Sequence, residues 1–126
     1  MAIGKHQELV DGLFKRTKNG SLQWEEAVAP NAFQLPFKDH SLKLSEVENQ
    51  DSSAPDYLLE IVNDEGRVID SFTDVELGRY RKDIGFEDDA YIYYNIMKEL
   101  YEMARRSALG SDRALNEILS SLQNDD

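Results

Sequence analysis

The sequence predicts an α+β domain: an N-terminal helix, an antiparallel meander of four to five strands, and a C-terminal pair of helices packed on one face. Three observations carry this. Apolar residues recur at helical spacing at both ends of the chain, around Leu9–Phe14 and again from Tyr93 to Leu122. Between Ser21 and Phe72 the period changes to two, the pattern of half-buried antiparallel strands. The length of 126 residues, with 40% hydrophobic and 31% charged residues, suits one globular domain over residues 1–126.

The first helix rests on Leu9, Val10, Leu13, Phe14 and Thr17, which share one face. Lys15, Arg16 and Lys18 crowd its C-terminal end, where the helix dipole favours cations. Asn19-Gly20 follows, and both residue types tolerate the positive φ of a helix stop. "SLQWE" then alternates Leu22 and Trp24 against polar neighbours, "AFQLPF" sets Phe33, Leu35 and Phe37 on one side, and "SLKLSEV" offers Leu42 and Leu44. Pro36 has no N–H for a ladder, which predicts an edge or a bulge at that point.

"ENQDSSAPD", Glu48–Asp56, reads as a polar loop. "YLLEIV" and "RVIDSF", joined by "NDEG", read as a β-hairpin. "TDVELGRYRKDIGF" interrupts the strand rhythm and reads as a loop with one helical turn at Asp74–Leu77. The long helix is expected to start near Glu87, with Glu87, Asp88 and Asp89 on its first turn and Arg105 and Arg106 on its last. Gly110 ends it, and Ser111 or Asp112 can cap a last helix with an apolar stripe of Ala114, Leu115, Ile118, Leu119 and Leu122.

The long helix carries the candidate site. At about 100° per residue, Ile96, Met97, Leu100, Ala104 and Ala108 lie within about 60° of Tyr93 and form a core stripe. Tyr94 and Tyr101 fall on its flank, and Tyr91 falls among the charged residues. Tyr91, Tyr94, Lys98, Tyr101 and Arg105 thus form a second stripe, spaced 3, 4, 3 and 4 residues apart, with cations among the rings. One reading packs the N-terminal or last helix against it, hydroxyls reaching water. The other makes it a docking ridge for a partner or a second copy, since Tyr and Arg are favoured at interface centres. A third use is stacking on a ligand.

Chemistry-bearing motifs are sparse. With no cysteine, thiol catalysis, disulfides and cysteine-ligated zinc are excluded. The two histidines, His6 and His40, fall in different predicted elements, and neither has a second histidine at metal-ligand spacing. No phosphate-binding glycine loop, calcium loop or nucleophile elbow occurs. No catalytic residue, metal or cofactor is therefore assigned, and an enzyme is not expected. No 18-residue apolar run is present to span a membrane, and the N-terminus lacks a secretory apolar core, so the cytoplasm is the expected compartment.

The formal net charge is −11. Residues 45–90 hold fourteen Asp/Glu against four Lys/Arg and account for nearly all of it. Such a surface repels phosphate backbones and anionic lipid, so direct nucleic-acid or membrane binding is not expected, while a basic protein surface would be attracted. "RYRK", Arg79–Lys82, is the one basic cluster in that acidic third and reads as a solvated loop. The expected function is a non-catalytic protein–protein interaction module of antidote, adaptor or inhibitor type, with a homodimer compatible. The alternatives are an acidic mimic of nucleic acid that blocks a nucleic-acid-binding protein, and a small enzyme or small-molecule binder with a pocket between sheet and helices.

The stretch Glu99–Leu122, "ELYEMARRSALGSDRALNEILSSL", and the "TKNGSLQW" turn resemble small uncharacterised bacterial α+β proteins, some linked to defence and mobile-element loci. In layout the resemblance covers most of the chain. It implies a cytosolic bacterial accessory or immunity-type protein, with no activity and no functional residues to carry over.

Overall fold

The computed structural model describes residues 2–49, 54–81 and 89–124. Helix α1 (Ala2–Lys18) leads into strands β1 (Glu25–Glu26), β2 (Ala32–Pro36), β3 (His40–Val47), β4 (Asp56–Asn63) and β5 (Val68–Thr73). Helices α2 (Asp74–Arg81), α3 (Asp89–Leu109) and α4 (Ser111–Gln123) follow. The strands form one antiparallel sheet in the order β1-β2-β3-β4-β5, the meander expected.

Local chemistry explains most boundaries. At the end of α1, Ser21 N–H donates to Arg16 O and Gly20 N–H to Thr17 O, with Gly20 at φ 83. This is the paired closure in which a left-handed residue satisfies the last carbonyls. In the β4–β5 hairpin, Gly66 takes φ 82, and the Asn63 side-chain oxygen accepts from the Glu65 and Arg67 N–H groups. Phe37 N–H donates to His40 O, which makes Pro36/Ser41 a non-hydrogen-bonded pair. The missing donor of Pro36 therefore points away from β3, past the end of a β1 that pairs only with Phe33 and Gln34.

Three expectations change. The "SLQWE" strand shortens to Glu25–Glu26, because the Trp24 N–H donates to the Ser107 hydroxyl on α3 instead of to a neighbouring strand. The single turn at Asp74–Leu77 is a full helix, Asp74–Arg81. Thr73 and Glu76 start it reciprocally: Glu76 N–H donates to Thr73 Oγ1 while the Glu76 carboxylate accepts from Thr73 N–H. That is the Thr-x-x-Glu capping box, legible as "TDVE". Finally, neither Ser111 nor Asp112 caps α4; Gly110, at φ 67, occupies the cap without a side-chain bond, and Asp112 turns back to Arg106. The expected helix start near Glu87 lies outside the described residues, as does most of the acidic loop's centre, 50–53.

The sheet has two unlike faces. Phe33, Leu44, Leu59 and Phe72 stand in register across β2 to β5 and are all buried. Glu25, Gln34, Lys43, Glu60 and Ser71 form the polar row on the other face, where Lys43 and Glu60 pair at 3.3 Å. The helices cover the apolar face. Val10 and Leu13 of α1, Leu77 of α2, and Tyr93, Met97, Leu100 and Ala104 of α3 close the core. Each fully buried large apolar side chain contributes about 1.5–3 kcal/mol relative to exposure, so this layer dominates the stability. Buried polar groups are tied across it: Gln7 donates to Leu77 O, and Trp24 Nε1–H to Thr17 Oγ1 at 3.0 Å.

Candidate functional site

The tyrosine stripe divides on folding. Tyr101 is only 5% exposed. Its ring packs 5.5 Å from both Phe33 of β2 and Tyr57 of β4. It is therefore core, and the ridge expected from the sequence is corrected at this position. The flank is covered, but by the sheet and not by α1 or α4. Tyr94 is half-buried, with its ring 5.7 Å from Tyr57 and the Lys98 ammonium 5.9 Å from its centroid. Lys98 and Arg105 are exposed. The Tyr91 side chain lies outside the described residues, as do those of Arg79–Arg81 and all of Lys82. Among the described residues, the accessible part of the stripe is Tyr94, Lys98 and Arg105.

Two phenols of this cluster, Tyr57 and Tyr101, are shifted upward. Burial pushes Tyr57 up from the ordinary 10.0, and the neighbouring Tyr94 and the carboxylates of Glu46 and Glu102 add to it. Burial also raises Tyr101, helped by Glu46 and Glu102 and opposed by Arg105. A third buried acid sits at the edge of the cluster. Asp74, 3% exposed, accepts the Tyr57 N–H at 2.8 Å and is raised from 3.8 by burial.

Among the described residues, the largest group of exposed apolar side chains is on α4. None of the helix's described residues is buried. Leu115 is 51% exposed, Ile118 58%, Leu119 45% and Leu122 67%. Their spacing of i, i+3, i+4 and i+7 puts them on one face. The sequence reading finds this stripe and expects it against the fold. In the structure α3 makes the contacts with β1 to β4, while α4 contacts α3 and presents the stripe outward. Leu109, at the end of α3, is 46% exposed as well. A helix of 13 residues is marginal alone in water, at or below the ~12–15 residues an isolated helix needs.

On the other side of the α3–α4 junction lies a cleft of about 440 Å³, lined by Lys18, Leu22, Met103, Arg106, Asp112 and Arg113 among others. Arg106 and Asp112 are paired across its rim, and Arg113 reaches Glu117 at 3.8 Å. His6 pairs with Asp70 at 2.8 Å and stacks on Phe72 at 4.3 Å, joining α1 to the edge strand β5. His40 and Asp39 lie exposed at the β2–β3 turn. Among the described residues no group of three or more His, Cys, Asp or Glu could hold a metal ion, and no helix is long and apolar enough to cross a membrane. Comparison with protein-family profiles, curated proteins and solved structures finds no match.

Proposed function

We propose that the protein is a non-catalytic protein-interaction module, in the manner of an antidote, adaptor or inhibitor, and that α4 is its docking element. The observation that carries this is the uncovered stripe Leu115, Ile118, Leu119 and Leu122. An amphipathic helix laid against a partner's apolar surface is a recurrent recognition mode, read through anchors at this same spacing. The largest exposed apolar patch of a monomer is often a functional surface. Tyr94 and Lys98 form a smaller, mixed surface elsewhere on α3.

The test is affinity capture with two baits, the native chain and Ile118→Glu/Leu122→Glu, each checked for folding by circular dichroism. The expected result is a protein, which can be another copy of the chain, retained by the native bait and lost from a folded variant. Retention that survives the double substitution refutes α4 as the docking element. Because the stripe is apolar, retention should persist in high salt. A steep loss with salt would point instead to the acidic middle third.

A further inference from the structure

The reading of α4 as a docking element leaves its occupant open, and the geometry points to a second copy of this chain. We propose that two α4 helices pair antiparallel about a two-fold axis passing between Ile118 and Leu119. The inference rests on the proposed docking role of α4.

The stripe is self-complementary. The gaps between Leu115, Ile118, Leu119 and Leu122 are three, one and three, the same in both directions. Antiparallel pairing sets Leu115 against Leu122 of the partner subunit, and Ile118 against Leu119 of the partner subunit. A contact built from the same patch on both copies closes on itself, whereas a head-to-tail contact propagates. The antiparallel arrangement also opposes the two helix dipoles favourably.

Charge permits the same surface. At a net charge of −11, two copies repel unless they meet where the acid is thin. Between Leu115 and Leu122 the only charged residue is Glu117, which sits on the far face of the helix and pairs with Arg113 at 3.8 Å. The area fits a weak dimer: the four side chains expose on the order of 400 Å² per copy, about half of the roughly 800 Å² per partner in a standard interface. Ser111, Ala114 and Ser121 border the stripe and are small enough to let two helices approach closely.

The chain has no cysteine, so single cysteines report the pairing directly. Leu115→Cys and Leu122→Cys are made separately, mixed and oxidised, with Asn116→Cys on the polar face as control. The expected product is the mixed 115–122 disulfide, in at least about tenfold excess over any product of the control, with a dimer mass by sedimentation of the native chain. Like-with-like crosslinks at 115 and at 122 overturn the antiparallel arrangement. A native chain that stays monomeric up to about 200 μM overturns the second copy altogether. In that event the melting temperature of Ile118→Glu separates the two readings. If it is unchanged, α4 remains a surface for a different protein; if it collapses, the chain itself covers the stripe and both readings fall.

Discussion

Replacing Tyr101 with alanine tests whether the tyrosines of α3 are core or contact surface. The ring is 5% exposed and meets two other rings, Phe33 and Tyr57, each at 5.5 Å. Truncating a buried large aromatic to alanine costs about 3–5 kcal/mol, and aromatic pairing puts Tyr101 near the middle of that range, about 4 kcal/mol. At roughly 2.1 cal/mol/K per residue, unfolding 126 residues carries an entropy of about 0.26 kcal/mol/K. The melting temperature should therefore drop by about 15 °C. Tyr94→Ala removes a half-buried ring with one ring contact, at 5.7 Å, and one cation contact. It should cost about 1–1.5 kcal/mol, a drop of about 4–6 °C. Thermal unfolding followed by far-ultraviolet circular dichroism measures both. Equal shifts in the two variants, or a shift under about 4 °C for Tyr101→Ala, would refute the assignment of Tyr101 to the core. The same asymmetry makes Tyr94→Ala alone, and not Tyr94→Ala combined with Tyr101→Ala, the usable probe of docking at this surface.

Burial holds the Asp74 carboxyl above its ordinary 3.8, with a contribution from the charge of Asp56 and against the favourable backbone N–H groups of Tyr57 and of Asp74 itself. The folded chain thus keeps this proton to higher pH than the unfolded chain. The stabilisation is complete below 3.8 and is lost as pH rises through the folded value. Asp74→Asn keeps an oxygen for the Tyr57 N–H and should flatten that decline; urea unfolding of both chains from pH ~3 to ~7 would show it, and an unaltered slope would count against the account. Thr17→Val strands the buried Trp24 Nε1–H and should cost about 1–3 kcal/mol, with Thr17→Ser restoring most of it in the same denaturant titration. Glu76→Ala breaks one half of the capping box and should cost about 0.5–1 kcal/mol; no measurable loss would mean that packing and the remaining bonds hold α2 without it.

Much of the fold is written locally. The stop at Asn19-Gly20 and the hairpin at "NDEG" depend on single residues that accept positive φ or bond their own backbone, and both stand where the sequence puts them. The two-sided sheet follows from period-two spacing, since Phe33, Leu42, Leu44 and Leu59 can reach one side only if their polar neighbours reach the other. The capping box of α2 is equally local, and the motif "TDVE" is the signal that extends the expected turn into a helix.

What the sequence by itself determined is the type of each element and the direction in which its apolar side faces. Whether that side is covered depends on neighbours far along the chain. A wheel drawn on α3 places Tyr101 on a flank, and a flank facing a single helix would be half wet. The neighbour is a five-stranded sheet, broad enough to cover more of the helix circumference, so Phe33 and Tyr57 enclose the ring. The stripe of α4 is as amphipathic as any in the chain, yet it buries nothing, because Gly110 redirects the chain where α3 has already taken the sheet face. Amphipathicity is a property of one segment, and burial is a relation between two; only the tertiary structure decided which apolar faces were covered and which were left exposed.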